Sequence, residues 1–217
     1  MVDYATLRRN MIEGQMRPNR IDDARLLAAL GDVPRERFVP EGLESVAYID
    51  EDLPLGRGRF LTEPLVLARL VQAARIAPGA KVLDVGCATG YGAAILARLG
   101  ASTIALDDTR EVADRARANL AALGVSGVEV VVGPLAAGWP ARAPYDAIVI
   151  EGGAAEVPRT LLDQLADGGA LLAVVVHDAA GKITRFEKRS GIIVPVILSD
   201  ASVPLLAAFA QAPRFVF

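Results

Sequence analysis

The residues best suited to chemistry cluster in and around one stretch, Lys81 to Gly100, which reads KVLDVGCATGYGAAILARLG. Gly86 and Gly90 bracket Cys87, Ala88 and Thr89, after an apolar strand carrying Asp84 and before a helical pattern. Small residues in such a turn let backbone approach a ligand, and the helix it opens presents free N–H groups. The next apolar run ends IALDD, which puts Asp107 about twenty residues beyond the turn, where a carboxylate can accept hydrogen bonds from both hydroxyls of a ribose. Asp108 either assists it or is solvated. Two cofactor classes share this layout, dinucleotides and S-adenosylmethionine. The dinucleotide fingerprint wants a further glycine three residues on for close helix packing, and Tyr91-Gly92-Ala93 match it poorly. A methyl donor needs only a loose turn, because no pyrophosphate rests on the helix. Spacing favours the methyl donor, leaves the dinucleotide open, and leaves open a turn that serves packing alone.

The elements that must position these groups follow from periodicity. The apolar strand pattern of 81–86 is followed by helix 90–99, strand 102–107, helix 109–123, strands 128–132 and 146–151, helix 158–166 and strand 170–176. Strands separated by helices predict an α/β fold with a mostly parallel sheet and helices on both faces. Ahead of it, YATLRRNMIEGQMR spaces Leu7, Met11 and Met16 helically, RIDDARLLAALGDV has helix start and stop signals, and LVLARLVQAARI runs into Pro78-Gly79. KITRFEKRS, IIVPVILSD and PRFVF predict antiparallel strands at one edge. One domain over 1–217 is expected, as an N-terminal helical and connecting extension (1–77) and a Rossmann-like core with C-terminal edge strands (78–217).

Composition narrows the function. The chain has 217 residues, is 53% hydrophobic and 23% charged, and carries a net charge of −3, which argues against global disorder and against a dedicated nucleic-acid binder. Cys87 is its single cysteine, so no intramolecular disulfide forms and no zinc cluster is on offer; no metal is expected. MVDYATLRRN lacks the apolar core of a signal peptide, and GALLAVVV is far shorter than the roughly 18–20 residues that span a bilayer. A cytoplasmic protein with no membrane partner is expected; the oligomeric state stays open.

In the order VPRERFVP, LPLGRGRFLTEP, VLDVGCATGYGAAILARLGA and APYDAIVIEGGAAEVPRTLLDQLADGGALL, the chain resembles the protein-L-isoaspartate O-methyltransferase family over nearly all of residues 10–175. That resemblance implies a class I S-adenosylmethionine-dependent methyltransferase fold with N-terminal helical additions and a rearranged C-terminal strand order. It implies methylation of the misplaced α-carboxylate of isoaspartyl residues in damaged proteins, and isoaspartyl proteins or peptides as partners. The cofactor site would comprise Asp84, Gly86, Cys87, Ala88, Thr89, Gly90, Asp107, Asp108 and Leu135. The family motif Gly-Gln-Thr-Ile-Ser-Gln-Pro falls on GRFLTEP, Gly58 to Pro64, so Thr62 takes the position of the serine beside the reacting groups and is the catalytic candidate.

Three departures bear on the acceptor. Arg59, Phe60 and Glu63 replace glutamine, threonine and glutamine in that motif; Arg59 and Leu61 are candidate substrate contacts. Pro134 stands where the family carries an acid near the adenine, leaving shape or backbone near Leu135 to hold the base. Glu151-Gly152-Gly153 replaces Thr-Ala-Ala at the end of the fourth core strand. A carboxylate there would repel a carboxylate acceptor unless Arg59 or another cation compensates, and would suit a general base for another acceptor. The readings are therefore isoaspartyl repair, a same-fold methyltransferase with a different small-molecule or protein acceptor, and a non-catalytic cofactor-binding protein. His177, the one histidine, and Trp139, the one tryptophan, are read as loop residues, and Cys87 as unreactive.

Overall fold

The computed structural model describes residues 2–177 and 180–210. Two helices open the chain, α1 (Tyr4–Met11) and α2 (Ala24–Asp32). Asp23 starts the second by accepting the N–H groups of Arg25 at 2.8 Å and Leu26 at 3.1 Å. The continuous helical spacing expected through Met16 is interrupted: α1 passes into a π turn over Ile12–Met16 and a tight turn over Arg17–Asn19. A small antiparallel hairpin, β1 (Leu53–Gly56) and β2 (Arg59–Leu61), precedes α3 (Pro64–Ala74). Pro64 begins α3 where its missing N–H costs nothing, and Arg75 ends it in the left-handed region.

The core then alternates β3 (Lys81–Val85), α4 (Tyr91–Arg98), β4 (Ser102–Asp107), α5 (Arg110–Ala122), β5 (Val128–Val132), β6 (Tyr145–Ala154), α6 (Arg159–Asp163) and β7 (Leu165–His177). Two antiparallel strands follow, β8 (Ala180–Arg189) and β9 (Ile192–Ala201). One seven-stranded sheet results, ordered β5-β4-β3-β6-β7-β8-β9, with β3 to β7 parallel. The last three strands follow in chain order as hairpins. PRFVF lies outside the described residues. Helix α6 is shorter than expected, because β7 begins at Leu165, and β6 runs three residues past Glu151.

Alternate strand residues face opposite layers, as the pleat requires. Val82, Val149, Leu172 and Val174 pack with Leu67 and Leu70 of α3 and Ile95 of α4. Leu83, Val85, Leu106, Ile148 and Ile150 pack on the other side with Leu161 and Leu162 of α6. The N-terminal helices share the first of these cores, with Met11, Met16, Leu26 and Leu30 in the same cluster. Polar ties fasten them: Arg25 donates to the carbonyls of Ile76 at 3.0 Å and of Leu99, and the Gln72 Oε1 accepts the Asp22 and Asp23 N–H groups at 2.9 and 3.1 Å.

Strand order reverses between β3 and β6: from β3 the chain builds outward through β4 and β5, then returns to lay β6 on its other side. The crevice outside the carboxyl ends of these two strands is where open α/β sheets bind ligands. Gly86 to Gly90 leave β3 at that crevice and Glu151 to Gly153 end β6 there.

Candidate active site

The turn after β3 is shaped by three left-handed residues, Gly86 (φ +77°), Ala88 (φ +48°) and Gly90 (φ +90°). For Ala88 that conformation costs about 1 kcal/mol or more, and hydrogen bonds around it offset the cost. Gly86 and Cys87 donate to the Leu106 carbonyl at 2.8 and 3.1 Å, Gly90 donates to the Cys87 carbonyl at 2.8 Å, and Ala88 donates to Asp107 Oδ2 at 3.3 Å. Parallel pairing of β3 with β4 thus sets Asp107 against the turn. Its carboxylate is fully buried.

Arg59 reaches Asp107 from β2. Its Nε lies 3.1 Å from Oδ2 and 3.3 Å from Oδ1, and its Nη2 lies 3.3 Å from Oδ1. The same Nη2 donates to Asp108, whose carboxylate also accepts the Thr109 hydroxyl at 3.0 Å. Arg59 therefore pairs with Asp107 and Asp108, not with Glu151.

The cation that faces Glu151 is Arg35, which the sequence reading passed over. It is completely buried. Its Nε donates to the Ala47 carbonyl at 2.6 Å, its Nη2 to the Thr62 carbonyl at 2.8 Å, and its guanidinium lies 4.9 Å from the Tyr91 ring centre. Thr62 is buried as well and is held through this backbone contact. Burial pulls the Arg35 guanidinium down, while Tyr91 and Glu151 work the other way; an arginine so placed stays charged.

Asp84 and Glu151 point to the same side of adjacent strands, and both are buried. Burial pushes the Glu151 carboxyl well above the usual carboxylate range, and the neighbouring Asp84 charge pushes it the same way. Asp84 is also raised, by burial first. Of the two carboxyls, Glu151 is raised the further. Burial likewise holds the Cys87 thiol well above its ordinary range, with Asp84 and Asp107 adding to the effect, so it is no nucleophile at neutral pH.

Other candidates fall nearby. Thr89 turns its hydroxyl away from the crevice and donates to the Phe38 carbonyl at 2.7 Å, tying the turn to the N-terminal extension. Leu61 is buried on β2. Pro134 leads into a tight turn that buries Leu135, and the Trp139 ring packs over Gly133 beside it. His177 is exposed at the end of β7. A further wall comes from Leu206, which sequence reasoning also missed. Two backbone bonds zip the segment after β9 onto the end of β6: Gly153 donates to the Pro204 carbonyl at 2.8 Å and Leu206 donates to the Gly153 carbonyl at 2.9 Å. A methyl group on Gly86 would meet Leu206 Cδ1 at 3.1 Å and Leu135 Cδ1 at 3.9 Å.

The model of the protein-L-isoaspartate (D-aspartate) O-methyltransferase family matches residues 7–207. The chain belongs to this family. A protein-L-isoaspartate O-methyltransferase of Methanoculleus marisnigri is 41% identical over 203 residues, 93% of this chain and 92% of the relative. One from Methylorubrum populi is 41% identical over 87% of this chain and 88% of its own length. Among solved structures, a protein-L-isoaspartate O-methyltransferase superposes with a TM-score of 0.82 at 24% identity, over 92% of this chain and 66% of that one. A Plasmodium falciparum structure bearing the same family name, in complex with S-adenosyl-L-homocysteine, gives a TM-score of 0.79 at 21% identity, over 96% of this chain and 100% of that one. These likenesses establish a class I methyltransferase fold.

Within the family frame, only one of the missed residues left a trace in the sequence. VPLL places Leu206 just after an edge strand, whereas VPRERFVP holds the buried Arg35 and the exposed Arg37 alike. The trace does not say what the side chain touches.

Proposed function

We propose that this chain transfers a methyl group from S-adenosylmethionine to the α-carboxylate of isoaspartyl residues in proteins, and that the extension and the sheet act as one unit in doing so. The residues suit the cofactor on two counts. The turn from Gly86 to Gly90 lies between Leu135 and Leu206 with an acid at the end of the neighbouring strand. Beneath it, both Asp84 oxygens and Glu151 Oε1 are buried without a hydrogen-bond partner among the described residues, acceptors left over for a ligand. When bound there, the cofactor supplies an electrophilic sulfonium methyl.

The repair reading rests on burial and the Asp84 charge driving Glu151 toward its protonated form. Its position suggests a general base for a hydroxyl or amine acceptor, yet a carboxyl that already holds its proton is no base. A neutral Glu151 also removes the repulsion that a carboxylate acceptor would meet. Such an acceptor is itself a nucleophile at neutral pH, so the chain's task is alignment and exclusion of water. In this reading Thr62, positioned by Arg35 through its carbonyl, directs its hydroxyl at the reacting groups. Asp84, Gly86, Ala88, Gly90, Asp107 and Leu135 frame the cofactor, and Leu61 backs the acceptor.

Methyl transfer from labelled S-adenosylmethionine to an isoaspartyl peptide, beside the matching aspartyl peptide and a no-acceptor control, tests the reading. Base-labile label on the isoaspartyl peptide alone is expected, with loss in Thr62→Ala and retention in Thr62→Ser. Cofactor binding without transfer to that peptide would overturn the acceptor assignment.

A further inference from the structure

The carboxylate at the end of β4 is already engaged. Asp107 takes three contacts from Arg59, at 3.1, 3.3 and 3.3 Å, and the N–H groups of Ala88 at 3.3 Å and Thr109 at 3.1 Å. A carboxylate has about four lone-pair sites, so these four donors, making five contacts, leave nothing over. A guanidinium lying side-on uses the paired outward sites of the two oxygens, the same sites that a vicinal diol would take. Solvent does not loosen this contact, since Arg59 is 5% exposed and Asp107 0%. The hairpin carrying Arg59 is fastened close by, where Arg57 Nη2 meets Glu111 Oε2 at 2.8 Å.

Resting on the cofactor reading above, we propose that Arg59 is an internal competitor for the ribose diol and sets the enzyme's affinity for its cofactor. The diol can reach Asp107 only when the guanidinium leaves it. Asp108, which already accepts from the same Nη2 and is 36% exposed, is the acid that retains Arg59 after the exchange. The cost of breaking a buried ion pair is then subtracted from every binding event. A second consequence follows from chain position, because Arg59 shares the β2 segment with Leu61 and stands three residues before Thr62. Arrival of the cofactor therefore releases the strand that leads to the acceptor side of the site.

Calorimetric titration of the full chain with S-adenosyl-L-homocysteine, together with ligand-free thermal melts, tests this on wild type, Arg59→Gln and Arg59→Lys. Arg59→Gln should bind about tenfold tighter while its ligand-free Tm falls, since the charged competitor and the buried ion pair vanish together. Arg59→Lys, keeping the charge without the fork, should lie between. A merely structural arginine would move both quantities the same way, its loss weakening the site along with the fold. Equal or weaker binding by folded Arg59→Gln would overturn the proposal; if that variant does not fold, the same comparison on Arg59→Lys decides. Absence of binding in folded wild type and variants alike would overturn the cofactor reading itself, and the proposal with it.

Discussion

The Glu151 carboxyl rests on the backbone of Gly92, so closely that a methyl group there would stand 1.6 Å from its Oε1. Gly92 lies in the first turn of α4, in ordinary helical backbone where alanine normally stabilises by about 1 kcal/mol. Here the sign reverses. Gly92→Ala should destabilise by about 3 kcal/mol in urea unfolding, as overpacking of a rigid buried site does. Adding Glu151→Ala should recover part of the loss, with a coupling of about 1 kcal/mol or more in the double-mutant cycle. A Gly92→Ala variant as stable as wild type would place the Glu151 side chain elsewhere.

Because burial and the Asp84 charge push Glu151 toward its neutral form, the amide of Glu151→Gln reproduces both the shape and the charge of that form. Isoaspartyl methylation at pH 7 should stay within about threefold of wild type, whereas loss of a general base costs about a hundredfold or more. The raised carboxyl also fixes the sign of a stability effect. A folded state that holds a proton more tightly than the unfolded chain loses stability as pH rises above the unfolded value. Unfolding curves should therefore show the Gln variant gaining on wild type between pH 5 and pH 9.

Glu63 gives a second, separable pH dependence. Burial, then the charges of Asp50, Asp52 and Glu51, push its carboxyl up to about 7 from the ordinary 4.5. Below the ordinary value both states are protonated and nothing is lost; between there and about pH 7 the folded state loses ground, and above it the full penalty applies. The side chain is part-exposed, so solvent screening reduces the penalty to about 1 kcal/mol. Glu63→Gln should raise stability by that amount at pH 8 and leave it unchanged at pH 4.

Arg35 joins the N-terminal extension to the segment carrying Thr62, and its removal leaves two carbonyls without their donor. Arg35→Met should cost about 3 kcal/mol and most of the turnover. Arg35→Lys retains charge on one nitrogen that cannot span both carbonyls as the fork does, and should lower kcat more than it raises KM for the peptide, since the turn after β3 is untouched. Equal rises in KM with unchanged kcat would refute a positioning role for Arg35.

Much of the scaffold is legible from contiguous residues. The strand runs at 102–107 and 128–132 coincide with β4 and β5, because apolar alternation and the turns bounding them are local properties. The glycine turn and the acid at the end of the next strand are legible for the same reason, since their spacing is that of one strand–helix–strand unit. Boundaries drift where tertiary pairing extends or cuts an element. The bridge from Gly153 to Leu205 accompanies the extra length of β6, and early pairing of β7 shortens α6.

Which charge meets which was not legible. Arg59 and Asp107 are 48 residues apart, and Arg35 and Thr62 are 27 apart. An arginine long enough to reach either Glu151 or Asp107 chooses by where the hairpin docks, which no local pattern encodes. The upward shift of the Glu151 carboxyl is likewise set by exclusion of water and by a second carboxyl on the adjacent strand. The sequence by itself determined the alternation of strands and helices, the turn after β3 and the acid beyond it, because each depends on neighbours along the chain. Tertiary structure alone decided that Arg59 occupies that acid, that Arg35 holds Thr62, and that Glu151 is buried beside a second carboxyl, because burial and charge pairing depend on neighbours in space.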